Sequence, residues 1–539
     1  MNTATSLATM MDVPLTIEVV VQRAEQWTGR VEVVSRRPDR SLHRTTYRTI
    51  AERARRLARA LVAAGVVKGD RVATLMWNHA EHLEAYFGIP LAGAVTHTLN
   101  LRLHPDEIAF IANDARDRFL IVDDVLLPLY DKIIAAGARF ERVFVVGAHG
   151  AHAGYEDLLA SAPDRVTLPT LDERDPLGVC YTSGTTGKPK GVVYSHRSTI
   201  LHTIVAALPD SLALSRSDTL LPVVPMFHVN AWGLPFISAM VGARLVFPGP
   251  HLDPPSLLDL LEQERVTVAA GVPTIWLGIR EALDAAPGRW KLQPGLRMIV
   301  GGSAAPEQLI RDFDRLGMTL LHAWGMTETS PIGLVSRLPP HLADADEALR
   351  YKQRAKQGVP PPLVDVRVRN EQGDVPADDK TTGELLVRGP WVASRYASGE
   401  TPDRWTADGW FRTGDVARID EHGFIQLTDR VADMIKSGGE WISSQELENA
   451  LMGHAAVREA AVIGVPHPKW SERPLAAVVL KPGAEVTAAA LREHLATKFP
   501  KFWLPDAVVF VEAIPRTSAG KFKKTELRET FRDHFAKAT

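Results

Sequence analysis

Arg71-Val-Ala-Thr-Leu75 is a short apolar run, and the longer stretch from Asn78 to about Leu91 has the length and pattern of a helix. A second short run, Ala94-Val95-Thr96, follows it. The unit recurs down the chain, with strand-like runs at Phe119-Leu-Ile-Val122, Arg142-Val-Phe-Val-Val146, Arg244-Leu-Val-Phe247, Val266-Thr-Val-Ala269 and Arg297-Met-Ile-Val300. Near-continuous apolar strands separated by helices predict an α/β fold whose mostly parallel sheets are covered by helices on both faces. Such sheets bind ligands at the carboxyl ends of their strands. Val300 is followed there by Gly301-Gly302-Ser303-Ala-Ala-Pro306-Glu307. The glycines admit a ligand close to the backbone, and Pro306 suits the first turn of the next helix.

The chain has 539 residues, more than one hydrophobic core of ~250–300 residues accommodates. The expected large N-terminal domain covers residues 1–430. Within it, about 360–428 reads as a small β-barrel-like subdomain, because Gly383-Glu-Leu-Leu-Val-Arg388 through Gly423-Phe-Ile-Gln-Leu427 has short strands broken by Gly and Asp turns. Residues 431–539 read as a small, mobile C-terminal α/β domain. There Ser443-Ser-Gln-Glu446 is a capping box opening a helix, followed by strands at about 457–465 and 475–481, a helix at about 487–498 and a strand from about Ala507 to Ile514.

Composition excludes several classes. A net charge of −2 leaves no electrostatic footprint for nucleic acid. The arginines Arg53, Arg55, Arg56 and Arg59 read as the wet face of a helix. No run is apolar for the ~18 residues of a membrane span, and the N-terminus has no signal-like core. The one cysteine, Cys180, lies in an apolar run; it rules out an internal disulfide and suits a reducing cytoplasm.

The chemistry begins at Tyr181-Thr-Ser-Gly184-Thr-Thr-Gly187-Lys188-Pro-Lys190-Gly191, directly after an apolar strand. Main-chain N–H groups and hydroxyls in such a loop hydrogen-bond phosphate oxygens. A Walker A loop is ruled out, since two residues rather than four separate Gly184 from Gly187 and Pro189 follows Lys188. A Gly/Thr surface turn has the same composition; the motifs further along argue against it.

Thr182 to Gly191 resembles the phosphate loop of the adenylate-forming superfamily: acyl-CoA synthetases, firefly-type luciferases and peptide-synthetase adenylation domains. The likeness runs over almost the whole chain, with motifs in the family's order. It implies that Thr182, Ser183, Gly184, Thr185, Thr186 and Lys190 hold ATP phosphates. In Pro225-Met-Phe-His228-Val-Asn-Ala-Trp232-Gly233, His228 would lie beside the acid's carboxylate and Trp232 would match a gate between acyl tunnel and ATP site. A lone His is more often a core side chain satisfied by backbone, and Trp232 also suits a core. In His322-Ala-Trp324-Gly325-Met-Thr327-Glu328-Thr329, the likeness implies Trp324 and Gly325 at the adenine, Thr327 at phosphate, and Glu328 with Thr185 at Mg²⁺. Gly301, Gly302 and Met326 would line the pocket, although Met326 also suits an ordinary core. Asp415 would accept from the ribose hydroxyls, and Arg430 would lie near the ribose or phosphates. Ala432 departs from the pattern, which has Lys or Asp at this pivot. Lys436, Gly438, Gly439, Glu440 and Trp441 resemble the loop along the coenzyme A channel. Lys521, in Pro515-Arg-Thr-Ser-Ala-Gly520-Lys521-Phe522, matches the catalytic lysine.

The resemblance thus implies an AMP-forming acid–thiol ligase using ATP, Mg²⁺ and coenzyme A, with Lys521, His228, Thr182 and Glu328 catalytic. Met10 to Leu15, His97 to Asn100, Trp232 and the run from Gly439 resemble bacterial medium- and long-chain fatty acyl-CoA synthetases, and 3-methylmercaptopropionate-CoA ligases about equally. Fatty-acid members include homodimers. Readings with the same ATP motifs are a luciferase-like oxygenase, an enzyme loading a carrier protein, and a nucleotide-binding protein without activity.

Overall fold

The computed structural model describes residues 9–182, 188–399, 402–438, 440–516 and 521–536. Two large sheets dominate it. One has seven strands and the other eight. Each is parallel over most of its width, with antiparallel pairs at its margins, such as Pro176–Tyr181 with Gly191–Ser195 and Thr319–Gly325 with Ile332–Val335. Period-two alternation sends neighbouring residues of one strand into different cores. From Arg71–Leu75, Val72 enters a central core, whereas Ala73 and Leu75 enter an outer one. From Val268–Gly271, Val268 joins the same central core and Ala269 the opposite outer core. The central core holds the helices Tyr47–Ala63, Ala80–Leu91 and Leu234–Val241 between the two sheets. All twelve residues of Ala80–Leu91 are buried. Two outer helix layers complete a helix–sheet–helix–sheet–helix stack.

The expected strands are present with shifts of a few residues: Asp117–Asp123, Arg142–Val146, Arg244–Phe247, Val268–Gly271 and Arg297–Val300. Pro306 caps the helix Glu307–Arg315 rather than opening it from inside. The arginine face of Tyr47–Ala63 needs correction. Arg53 bridges Glu84 and Glu156, each at 2.6 Å, Arg55 bridges Glu18 at 2.7 Å and Glu25 at 3.1 Å, and of the four arginines from Arg53 to Arg59 Arg56 alone is exposed. Sequence periodicity located this face but not the carboxylates that other segments bring to it.

The β-rich segment forms a five-stranded antiparallel sheet, Asp365–Asn370, Gly373–Asp374, Gly383–Arg388, Phe411–Ile419 and Ile425–Arg430. A separate sheet follows, built from Ile435–Ser437, Glu440–Ile442, Val457–His467, Ser471–Leu480 and Ala507–Phe510, with its own cores. Of the expected capping box, Ser443 Oγ accepts from Glu446 N at 3.1 Å, while the Glu446 carboxylate turns to Arg418 at 3.2 Å. No helix among the described residues is long and apolar enough to cross a membrane.

Candidate active site

The carboxyl ends of strands from both large sheets open onto one cavity of ≈ 450 Å³. Pro176–Tyr181 delivers Thr182, Arg297–Val300 delivers Gly301 and Gly302, and Thr319–Gly325 delivers Trp324 and Gly325. The phosphate-type loop is fastened at its base. Thr182 N donates to Lys190 O at 3.0 Å, and Lys190 N donates back to Thr182 Oγ1 at 3.1 Å. Ser183, Gly184, Thr185 and Thr186 lie outside the described residues, as do Gly439 and the side chain of Glu440.

One wall suits a nucleotide. The Trp324 indole N–H donates to Asp415 Oδ2 at 3.0 Å, which fixes the ring, and Gly333 packs so closely that a Cβ there would come within 2.4 Å of it. Asp415 Oδ1 lies 3.2 Å from Arg430 Nε and holds the guanidinium above its ordinary range. A flat ring, a carboxylate and a guanidinium thus share one corner. Gly325 is dictated by packing: a Cβ would fall 1.7 Å from Pro331 O.

Glu328 is buried at the cavity and accepts from the Tyr396 hydroxyl at 2.5 Å. Burial and this carboxylate raise the Tyr396 phenol, so it stays a donor. The Lys190 ammonium lies 5.1 Å from the centre of the Tyr396 ring. Among the described residues no cluster of three or more His, Cys, Asp or Glu could hold a metal. A cation here would have Glu328 and substrate oxygens, a set that Mg²⁺ accepts.

The cavity also has an apolar lining of Leu212, Val229, Trp232, Ile299 and Ile332, and His228 lines it too. Gly301 faces Trp232 so closely that a Cβ would be 3.1 Å from the indole. Burial, and then the charges of Lys521 and Arg102, lower His228 to about 4, so the imidazole is neutral at pH 7. Lys521 reaches the same cavity from the far end of the chain. Burial, and then Arg430, lower its ammonium to about 8, while Asp415 and Glu328 act in the opposite sense.

A protein-family model described as AMP-binding enzyme matches residues 20–397, and one described as AMP-binding enzyme C-terminal domain matches 446–521. The chain belongs to the AMP-binding enzyme family. A long-chain-fatty-acid–CoA ligase of Thermus thermophilus is 50% identical over 98% of each chain. A 3-methylmercaptopropionyl-CoA ligase of Ruegeria pomeroyi is 43% identical over 98% of this chain and 99% of its own. Among solved structures, the anthranilate CoA ligase AuaEII in complex with anthranoyl-AMP aligns with a TM-score of 0.85 at 25% identity, covering 97% of this chain and 99% of that one. This AMP-binding enzyme is accordingly an AMP-forming acid–thiol ligase that uses ATP and coenzyme A.

In this AMP-binding enzyme Thr182, Lys190, His228, Trp232, Gly301, Gly302, Trp324, Gly325, Met326, Thr327, Glu328, Arg430 and Lys521 converge on the cavity. Asp415 sits behind Trp324 and lines a second cavity of ≈ 720 Å³, which shares Gly302, Trp324, Arg430 and Lys521 with the first. Lys436, Gly438 and Trp441 line neither; the Lys436 ammonium lies over the Trp441 ring at 5.4 Å, and Gly438 N bonds Trp470 O at 2.9 Å. Sequence reasoning missed Tyr396, the partner of both Glu328 and Lys190. It stands in Ser394-Arg-Tyr-Ala-Ser398, which has no pattern to mark it.

Proposed function

We propose that this enzyme joins a medium- or long-chain fatty acid to coenzyme A, with the acid lying along Leu212, Val229, Trp232, Ile299 and Ile332. One observation carries the reading: Lys521 and His228, far apart in the sequence, line one cavity together with these apolar residues and Trp324. A carboxylate oxygen of the acid attacks the α-phosphorus of ATP, the bond to the bridging oxygen breaks, and pyrophosphate leaves. Such transfers ask the protein for positioning and charge. The Lys521 ammonium bridges the acid oxygen and the α-phosphate. Neutral His228 offers a hydrogen bond to the carboxylate without the cost of burying a second charge. Trp324 stacks on adenine, Asp415 accepts from the ribose, and Thr182, Lys190 and Thr327 hold phosphates. Mg²⁺ held by Glu328 would neutralise phosphate charge. The loop residues Ser183 to Thr186 belong to the phosphate contacts by resemblance.

The coenzyme A thiol then attacks the acyl carbonyl, and AMP leaves with the bonding pair. In this reading the small domain begins after Arg430 and turns about Arg430–Ala432. The turn withdraws Lys521 and brings Lys436, Gly438, Gly439, Glu440 and Trp441 to the cavity. The exposure of Trp441, 52% in the present arrangement, supports a face that is covered in another one. The buried thiol of Cys180 suits a reducing compartment such as the cytoplasm.

The 43% identity with the Ruegeria ligase supports 3-methylmercaptopropionate as the alternative acid. A thioether is close in size to a methylene, and a buried methylene contributes only ~0.8 kcal/mol to the choice. Acid-dependent ATP–pyrophosphate exchange without coenzyme A, across straight-chain acids and 3-methylmercaptopropionate, tests the reading. An optimum at six carbons or more supports it. An optimum at the thioether acid selects the alternative, and exchange only with aryl acids refutes both.

A further inference from the structure

The segment that carries His228 has an unusual backbone. Val229, Asn230, Ala231 and Trp232 have φ values of 45°, 51°, 48° and 59°, and Gly233 follows at 75°. L-residues other than glycine visit this left-handed region singly, Asn most readily, and do not string it into a turn unaided. Side chains from elsewhere hold the turn and the segment that leads into it. Asn78 Nδ2 donates to Pro222 O at 3.0 Å and Val224 O at 2.9 Å, and its Oδ1 accepts from Met226 N at 2.8 Å. The Tyr86 hydroxyl bonds Met226 O and lies 3.3 Å from Asn230 Oδ1. The Cys180 thiol donates to the same Asn230 oxygen at 3.4 Å, and the Thr98 hydroxyl to Phe227 O at 3.4 Å. On the far side the His202 ring lies so close to Gly233 that a Cβ there would be 2.8 Å away. Asn78 and Tyr86 are buried and line neither cavity.

We propose that Asn78, Tyr86 and Asn230 are positioning residues for the acid: they hold the left-handed turn Val229 to Trp232 and the segment from Pro222 that leads into it, which sets His228 and Trp232 against the cavity. Strain of this kind persists only where the surroundings over-determine it. The nucleotide wall is built on other segments, so loosening the turn separates the two substrates. The inference rests on the proposed place of His228 beside the carboxylate.

The test is CoA-free ATP–pyrophosphate exchange by Tyr86→Phe, Asn230→Gly and the double variant, with His228→Ala in parallel. Tyr86→Phe keeps the ring on Phe236, at 5.5 Å between centroids. Asn230→Gly tolerates the left-handed backbone and lacks only the amide, so it carries the test if Tyr86→Phe does not fold. Each single variant is expected to raise the KM for acid roughly fivefold, as loss of one buried hydrogen bond does, with the KM for ATP within about twofold. The double variant is expected to fall short of the product of the two, because both act on one turn of backbone. Equal rises in both KM values, an unchanged acid KM, or full additivity overturns the proposal. If His228→Ala leaves the acid KM unchanged, the role of His228 fails, and the positioning argument with it. If His228→Ala raises it while Tyr86→Phe and Asn230→Gly behave as wild type, only the positioning argument fails.

Discussion

Raising the pH through 8 should switch off adenylation, because Lys521 acts through its charge. An ordinary lysine titrates at 10.5, but burial and the neighbouring Arg430 bring Lys521 to about 8. The protonated form is the active one, so activity is full below that value and is lost above it. For a single proton, kcat/KM falls roughly ninetyfold between pH 7 and pH 10, against less than about twofold for a lysine of ordinary pKa. His228, at about 4, stays neutral throughout this window and contributes no limb there. The assay is acid-dependent ATP–pyrophosphate exchange, run without coenzyme A so that thiol ionisation does not intrude. kcat/KM is the quantity to follow, since it reports the free enzyme. Lys521→Arg is the control. A guanidinium stays charged across the range, so this variant should be slower, because its planar fork bonds differently, and flat from pH 7 to 10. A wild-type profile flat to pH 10, or a limb near 8 that persists in Lys521→Arg, would refute the assignment of that limb to Lys521.

Three further outcomes follow from the geometry. Tyr396→Phe removes the hydrogen bond to Glu328, so the Mg²⁺ concentration giving half-maximal exchange should rise about tenfold, as measured by metal titration at fixed ATP. Asp415→Asn weakens the hold on both Trp324 and Arg430; the KM for ATP should rise about tenfold while the KM for acid stays unchanged, and a selective effect on the acid would contradict the placement of the nucleotide. Gly325→Ala drives a methyl group into the Pro331 carbonyl, which should cost about 3 kcal/mol in thermal or denaturant unfolding and abolish ATP binding. An unshifted melting curve would show that the backbone there yields more easily than its packing implies.

Much of this molecule is written locally in its sequence. Arg71–Leu75, Arg142–Val146 and Arg297–Val300 were legible because a strand's apolar pattern needs no knowledge of its neighbours. The two glycines after Val300 and the run from Trp324 to Glu328 stood out in the sequence by small or hydroxylated residues at fixed spacing, and the fold brings both to one cavity. Tertiary structure decided what these segments meet. Nothing near Tyr396 in sequence announces that its hydroxyl reaches Glu328, and nothing near Arg53 announces Glu84 and Glu156. The left-handed turn at Val229 to Trp232 was equally silent, since local propensity opposes it and side chains from other elements, Asn78, Tyr86, Thr98, Cys180 and His202 among them, sustain it. The altered ionisation of Lys521 belongs to the same class. A lysine's intrinsic chemistry is in the sequence, but the burial and the Arg430 charge that move it exist only once distant segments have packed around one cavity.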